Sequence, residues 1–355
     1  MSINKIKVLV VDDSAFMRRV IQTLLEQDAE IDVVGVAKDG LDALQKARAL
    51  NPDVITLDVE MPLMDGISCL ENLQKQGSYS IIMVSSVTQD KANATIRALE
   101  LGAFDFVTKP GSVFDLSSDV KSNEILSKVK LAYWSSKKAE ALKPFGQREP
   151  VGDLVESAKS TDLKYIIAIG ISTGGPRALS AILPEFPADL PAAIVIVQHM
   201  PPGFTRSLAV RLNETCRLSV KEAEDNDILR AGSVYIAPGD HHLTFKSEGQ
   251  TTRIRLTKEP PSGGFRPSAD VMMTSLAESR AQPVIGVIMT GMGNDGSKGL
   301  REMKTKKSAF VIAQDESTSI VFGMPRAAIE MGIVDKTVPL QEIPTCIMNF
   351  MGVRR

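Results

Sequence analysis

The chain reads as an α/β protein in two mostly parallel, helix-covered halves, and three observations point there. Short apolar runs of strand length recur along its 355 residues, helix-period segments fall between them, and the pattern breaks down once, over about residues 135–161. Apolar runs without polar alternation mark strands buried on both faces, as a parallel sheet requires, and the intervening helices supply its crossovers. The length suits two cores rather than one. The expected division is residues 1–133, a linker over 134–161, and a second domain over 162–355.

In the first half, strands are predicted at 7–11, 31–36, 54–57, 80–84 and 104–107. The helices between and after them fall at 14–27, 40–50, 66–76, 91–101 and 120–134. In such a sheet the functional groups gather at the carboxyl ends of the strands. Those ends carry Asp12 and Asp13, then Asp58, Ser85 and Lys109. Three carboxylates brought together repel one another unless a divalent cation joins them, and oxygen donors of this kind suit Mg²⁺. Lys109 and the Ser85 hydroxyl are then placed to hold the oxygens of an incoming phosphoryl group. Taken singly, each acid is a solvated loop residue or a helix cap; Asp12 and Asp13 precede a helix and would favour its N-terminus. The convergence of the five groups from four strand ends makes the site a phosphoryl acceptor.

The stretch Val11-Asp12-Asp13-Ser14, the run from Leu57 to Gly66 and the stretch Val107-Thr108-Lys109-Pro110 resemble the receiver domain of two-component response regulators, over about residues 5–133. The resemblance implies a flavodoxin-like five-stranded parallel sheet, with Asp58 the residue phosphorylated and Asp12 and Asp13 the acidic pair that binds Mg²⁺. It implies the backbone carbonyl of Glu60 as a further metal ligand, Lys109 as the phosphate contact, Ser85 as the hydroxyl switch and Phe106 as the aromatic switch. A cis Lys109–Pro110 bond and a histidine kinase as phosphodonor are implied as well.

Residues 135–161 mix charge with Pro, Gly and Ser, the composition of a flexible linker. Beyond it, an apolar run from Tyr165 stops at Gly170, turns through Ser172, Gly174 and Gly175, and meets Pro176, which suits the first turn of a helix. Gly170-Ile171-Ser172-Thr173-Gly174 fits the G-x-S-x-G pattern that lifts a serine hydroxyl into the open. The same glycines would equally serve a turn that holds phosphate on backbone amides. A general base decides between the two readings.

The chain has three histidines. His199 follows the strand at 193–197 and so stands at a strand end near Ser172, where an imidazole can act as base. His241 and His242 follow Asp240 in a turn between a strand and a hairpin; without a further ligand at metal spacing, a polar turn tip explains them better than zinc. The strand at 283–290 ends in the loop Gly291-Met292-Gly293-Asn294-Asp295-Gly296. Asp295 is the candidate to accept the His199 ring N–H, with Asp315, after the strand at 310–313, as its rival; the glycine-rich loop favours Asp295. Backbone amides at Thr173 and Met292 are candidates for an oxyanion hole. The segments Leu243 to Lys246 and Arg253 to Thr257 read as a small antiparallel hairpin. The order Ser172, His199, Asp295 differs from the serine, acid, histidine order of α/β-hydrolases and implies a distinct serine hydrolase.

Gly170 to Pro176, Gln198 to Thr205, Ile236 to Asp240, Arg266 to Asp270, Thr290 to Gly296 and Val321 to Arg326 resemble the catalytic domain of CheB-type protein-glutamate methylesterases. The resemblance implies Ser172 as nucleophile, His199 as base, Asp295 as its orienting acid, and γ-glutamyl methyl esters of methyl-accepting chemoreceptors as substrate, with deamidation of receptor glutamines as a second activity. No cofactor is implied for the esterase. Arg266 to Asp270 also reads as a helix start, with Ser268 or Asp270 near the cap.

The composition, 43% hydrophobic and 24% charged with net charge −2, is that of an ordinary soluble protein. No uninterrupted apolar stretch is long enough to span a bilayer, and the start runs into a strand rather than a secretory segment, so no membrane insertion and a cytoplasmic location are expected; the resemblance implies recruitment to receptor arrays. Residues 162–355 carry 22 Lys+Arg against 20 Asp+Glu, without the basic excess that nucleic acid demands. Cys69, Cys216 and Cys346 lie too far apart for a disulfide framework or a zinc knuckle. The unphosphorylated receiver is expected to cover the Ser172 cleft, and phosphorylation of Asp58 to loosen that contact.

Overall fold

Apolar runs become strands and amphipathic runs become helices in both halves of the computed structural model. It describes residues 5–86, 88–109, 119–139, 162–249, 251–280 and 283–353. The chain divides into two units, Met1–Lys143 and Pro144–Arg355. The expected cis Lys109–Pro110 bond and residues 140–161 of the expected linker lie outside the described residues.

In the first unit β1 is Ile6–Val11, β2 Ile31–Ala37, β3 Val54–Asp58, β4 Ser80–Ser85 and β5 Asp105–Thr108. They form a sheet in the order β2-β1-β3-β4-β5, every pair parallel. Helices α1 (Ala15–Leu25), α2 (Gly40–Leu50), α3 (Gly66–Gln76), α4 (Gln89–Glu100) and α5 (Asp119–Ala139) follow the strands in turn. The first three start on side-chain caps. Ser14 Oγ accepts from Met17 N at 3.3 Å, Asp39 from Asp42 N at 2.9 Å and Asp65 from Ser68 N at 2.7 Å, each satisfying an amide that the first turn leaves without a helical partner. Val8, Leu9, Val10, Ile55, Leu57 and Ile82 are wholly buried. The last helix runs five residues past its expected end at Trp134, because Ser135 to Ala139 contain neither Pro nor Gly to stop it.

In the second unit β6 is Tyr165–Ile171, β7 Ala192–Gln198, β8 Ser219–Glu222, β9 Ser233–Ile236, β12 Val284–Ile288, β13 Phe310–Gln314 and β14 Lys336–Val338. Their order is β14-β13-β12-β6-β7-β9-β8, again with every pair parallel. Strands β10 (His242–Glu248) and β11 (Thr251–Thr257) make a separate antiparallel hairpin. The helices are α6 (Gly175–Ile182), α7 (Phe204–Thr215), α8 (Ala269–Glu278), α9 (Ser297–Lys307), α10 (Met324–Glu330) and α11 (Ile343–Met351).

The chain leaves β6 towards β7 and later returns to its other side as β12. The strand order therefore reverses beside β6, and in such a sheet the crevice for ligands opens at the carboxyl ends there. Helix α8 packs tightly over that point: a Cβ on Gly170 would lie 2.9 Å from Ala269 Cβ. Its buried Met272, Met273 and Leu276 share one core with strand residues and with Leu243 and Ile254 of the hairpin. Among the described residues no helix is long and apolar enough to cross a membrane. The cysteines are free, and burial pushes the Cys69 and Cys216 thiols up to about 12.

Candidate active site

Ser172 sits on the turn between β6 and α6. Its carbonyl accepts from Gly175 N at 2.8 Å and from Gln198 Nε2 at 3.0 Å, while its amide donates to Thr290 O at 3.0 Å. Gly174 takes φ 81°, a conformation that a side chain would strain. Gly175 is required by space, since a Cβ there would come 1.8 Å from Gln198 Oε1. The loop after β12 presses on the same turn; a Cβ on Gly291 would lie 2.8 Å from Ser172 Cβ.

His199 follows β7, and its amide donates to Ile171 O at 3.2 Å, which places it beside the end of β6. Its Nε2 is 2.7 Å from Asp295 Oδ2, with both side chains 7% exposed. The carboxylate also accepts from Ser268 Oγ at 2.7 Å, Ala269 N at 2.6 Å and Asp270 N at 3.0 Å, at the positive end of α8. Burial works to raise the Asp295 pKa, but the hydrogen bond and charge of His199, the Ser268 hydroxyl and the Asp270 amide hold it below the ordinary carboxylate value. An ionised carboxylate only accepts, so Nε2 carries the ring proton. That leaves Nδ1, which is buried and has no hydrogen-bond partner among the described residues, as the basic nitrogen of the ring.

Ser172, His199 and Asp295 thus stand at the ends of the neighbouring strands β6, β7 and β12. Asp315 is occupied elsewhere, accepting from Ser317 Oγ at 2.6 Å and Thr318 N at 3.0 Å in its own turn. Thr173 is buried, with its carbonyl accepting from Thr290 Oγ1 at 2.9 Å, and Met292 is half-exposed next to the Gly291 contact. The turn-tip reading of His242 needs correction. His242 is 1% exposed as the first residue of β10, with Nε2 3.2 Å from Pro260 O, because the hairpin folds back onto α8. Sequence reasoning missed Gln198, and Phe265, whose ring stacks on His199. Ser268 was legible only as a helix cap, which it is, accepting from Val271 N.

In the first unit, ligand oxygens of Asp12, Asp13 and Asp58 lie within 4.8 Å of one another. Lys109 Nζ is 2.8 Å from Asp12 Oδ2 and 2.7 Å from Asp58 Oδ2. Asp13, Asp58, Glu60, Met61, Pro62, Lys91 and Lys109 line a cleft of about 440 Å³. Ser85 and Phe106 are buried, and the Ser85 hydroxyl donates to Ser86 O at 3.3 Å. Burial, and then the charge of Asp12, raise Asp58 to about 6 against the pull of Lys109. The same Lys109, despite its own burial, is held above its usual value by Asp12 and Asp58. One cation is shared between two carboxylates, so the lysine gains two partners and each acid only part of one. Hard oxygen donors crowded in this way, with too little positive charge of their own, fit a small divalent cation such as Mg²⁺.

A raised carboxyl pKa means that the fold favours the neutral acid. The associated stability is present below 3.8 and is lost as pH rises through about 6. In metal-free buffer Asp58→Asn is expected to melt higher than wild type at pH 7.5, by roughly 1–3 kcal/mol at about 1.36 kcal/mol per unit, with the gap closing towards pH 4. Equal pH dependence of melting in both proteins would contradict this account of Asp58.

A family profile described as CheB methylesterase matches residues 167–347, and one described as response regulator receiver domain matches residues 8–121. A protein of Halalkalibacterium halodurans named protein-glutamate methylesterase/protein-glutamine glutaminase is 48% identical over 346 residues, 98% of each chain. A Pyrococcus horikoshii protein of the same name is 46% identical over 356 residues, 99% of this chain and 95% of its own. The crystal structure of the Thermotoga maritima CheB methylesterase catalytic domain is 46% identical, with a TM-score of 0.51 over 53% of this chain and 98% of that one.

Proposed function

The chain belongs to the CheB methylesterase family, in the form that carries a response regulator receiver domain, and from that premise we propose that Ser172, His199 and Asp295 perform its hydrolysis. The protein is a protein-glutamate methylesterase and protein-glutamine glutaminase of chemotaxis, under the control of its receiver. The observation that carries the residue assignment is the 2.7 Å His199–Asp295 contact, which leaves a buried, unpartnered Nδ1 at the strand end beside Ser172.

Ser172 Oγ attacks the carbonyl carbon of the glutamyl methyl ester as His199 Nδ1 takes its proton, and Asp295 steadies the imidazolium so formed. Backbone amides at Thr173 and Met292 receive the oxyanion. Collapse of the tetrahedral adduct expels methanol, protonated by His199, and leaves an acyl ester on Ser172. Water, deprotonated by the same imidazole, then releases the glutamate carboxylate. A glutamine side chain follows the same course with ammonia as leaving group. A phosphate-binding role for the Gly170 to Gly175 turn would leave the His199–Asp295 pair without a task.

In the receiver, Asp58 is the phosphoryl acceptor and a histidine kinase the donor; Asp12, Asp13, Asp58 and the Glu60 carbonyl would hold Mg²⁺. The cation, when bound, neutralises charge on the transferring phosphoryl oxygens. Lys109 stands ready at Asp58 Oδ2 to meet the phosphoryl group, and Ser85 and Phe106 report the change. The protein works on receptors gathered in membrane arrays, with domains over 1–133 and 162–355. Methanol release from methylated chemoreceptor membranes should rise several-fold with acetyl phosphate and Mg²⁺ in wild type and stay at the basal level in Asp58→Asn, since a shift of only 1–3 kcal/mol in coupling is about 5–150-fold. An equal rise in both proteins would remove Asp58 from the regulation.

A further inference from the structure

We infer that Phe265 is a positioning residue for the general base, an inference that rests on the assignment of His199 above. The phenyl ring lies flat on the imidazole, with centroids 4.1 Å apart and planes 7° from parallel. The hydrogen bond to Asp295 fixes His199 at one point on its edge, Nε2, and leaves the ring free to rock about that contact. A rigid aromatic plane on its face removes that freedom and keeps Nδ1 aimed in one direction. It also shields that face from water, and an aromatic face attracts the cation that His199 becomes when it takes a proton.

Phe265 is itself held from both sides. On one side Ser262 and Phe265 exchange backbone hydrogen bonds of 3.1 and 3.0 Å across a two-residue turn. Gly263 and Gly264 take φ 59° and 88° there, as tight hairpin turns require. On the other side the Arg266 guanidinium donates to Asp240 Oδ1 at 3.0 Å, to Lys258 O at 3.2 Å and to Glu259 O at 3.0 Å. Three to five residues beyond Phe265, Ser268, Ala269 and Asp270 all donate to the Asp295 carboxylate. One carboxylate therefore holds both the edge of the imidazole and the segment that carries the ring on its face. If that closed arrangement sets the reach of Nδ1, loss of the ring costs turnover rather than binding.

The test compares wild type, Phe265→Leu, Phe265→Tyr and His199→Gln as full chains, with melting followed for each. Steady-state methanol release gives kcat and KM, and inactivation by phenylmethanesulfonyl fluoride gives a second measure of serine reactivity. Phe265→Leu is expected to lower kcat about 10²-fold, the scale of a misplacement near 1 Å, with KM within about twofold and inactivation slowed to match. Phe265→Tyr, which keeps the face, retains kcat within about threefold. The inference is overturned if Phe265→Leu keeps its kcat, if only KM rises, which makes the ring a substrate wall, or if Phe265→Tyr falls as far as Phe265→Leu. Should Phe265→Leu fail to fold, an inactive but folded Phe265→Tyr still overturns it. Turnover by His199→Gln would sink the base assignment itself, whereas an inactive His199→Gln beside a fully active Phe265→Leu sinks only the role of the ring.

Discussion

Ser172→Ala is expected to lower ester hydrolysis about 10⁵–10⁶-fold while leaving the melting temperature close to that of wild type. The large effect follows from the chemistry: without Oγ no acyl intermediate forms, and His199 has no proton to take. The small structural effect follows from the contacts of the residue, because the bonds that hold the turn run from the Ser172 backbone to Gly175, Gln198 and Thr290. Methanol release from methylated receptor membranes, together with a thermal melt, measures both. A well-folded Ser172→Ala protein with more than about a hundredth of the wild-type rate would mean that the nucleophile is another group, since a single catalytic hydroxyl accounts for far more than that.

The second large effect is expected at Asp295. Asparagine there cannot hold an imidazolium by charge, and its one carbonyl oxygen cannot serve the four donors that now converge on the carboxylate, His199 Nε2, Ser268 Oγ, Ala269 N and Asp270 N. A fall in kcat of about 10⁴-fold is expected, the size seen when the acid of a serine protease triad is made an amide. Unlike Ser172→Ala, this change also costs stability, roughly 1–3 kcal/mol for the buried donors left unpaired. Asp315→Asn serves as the control: among the described residues its carboxylate accepts from Ser317 and Thr318 of its own turn, so kcat should hold. If the two substitutions cost the same activity, the choice between the two acids has been made wrongly.

The parts of the fold legible in the sequence were those whose physics is local. Buried strands such as β1, β6, β7 and β12 announce themselves as unbroken apolar runs, and their ends carry Asp12, Ser172, His199 and the loop of Asp295. The edge strands β8 and β14 do not, because Ser219–Glu222 and Lys336–Val338 are short and mostly polar and owe their extended form to the neighbour they pair with. The glycine content of its loop separates Asp295 from Asp315 only weakly in the sequence; in the fold the 2.7 Å contact with His199 does so directly. Phe265 carried no signal at all. An aromatic residue beside Gly263 and Gly264 reads as a loop ornament, and its meeting with His199, 66 positions earlier, depends on the turn at Ser262 and the clamp on Asp295. His242 misled for the opposite reason: two adjacent histidines after a turn look solvated, yet the start of β10 packs against α8, and both His242 and Leu243 are buried there.

The reversal of strand order beside β6 also governs when the enzyme comes into being. The contact between His199 and Asp295 spans 96 positions of chain, and β12 can take its place against β6 only after β7, β8, β9 and the hairpin have been made. Pairing across such a separation is entropically late and slow. A growing chain therefore has its serine turn and its histidine long before it has Asp295. Esterase activity by this route waits for β12 to pair with β6, and no fragment that stops short of the loop after β12 can hydrolyse an ester by it.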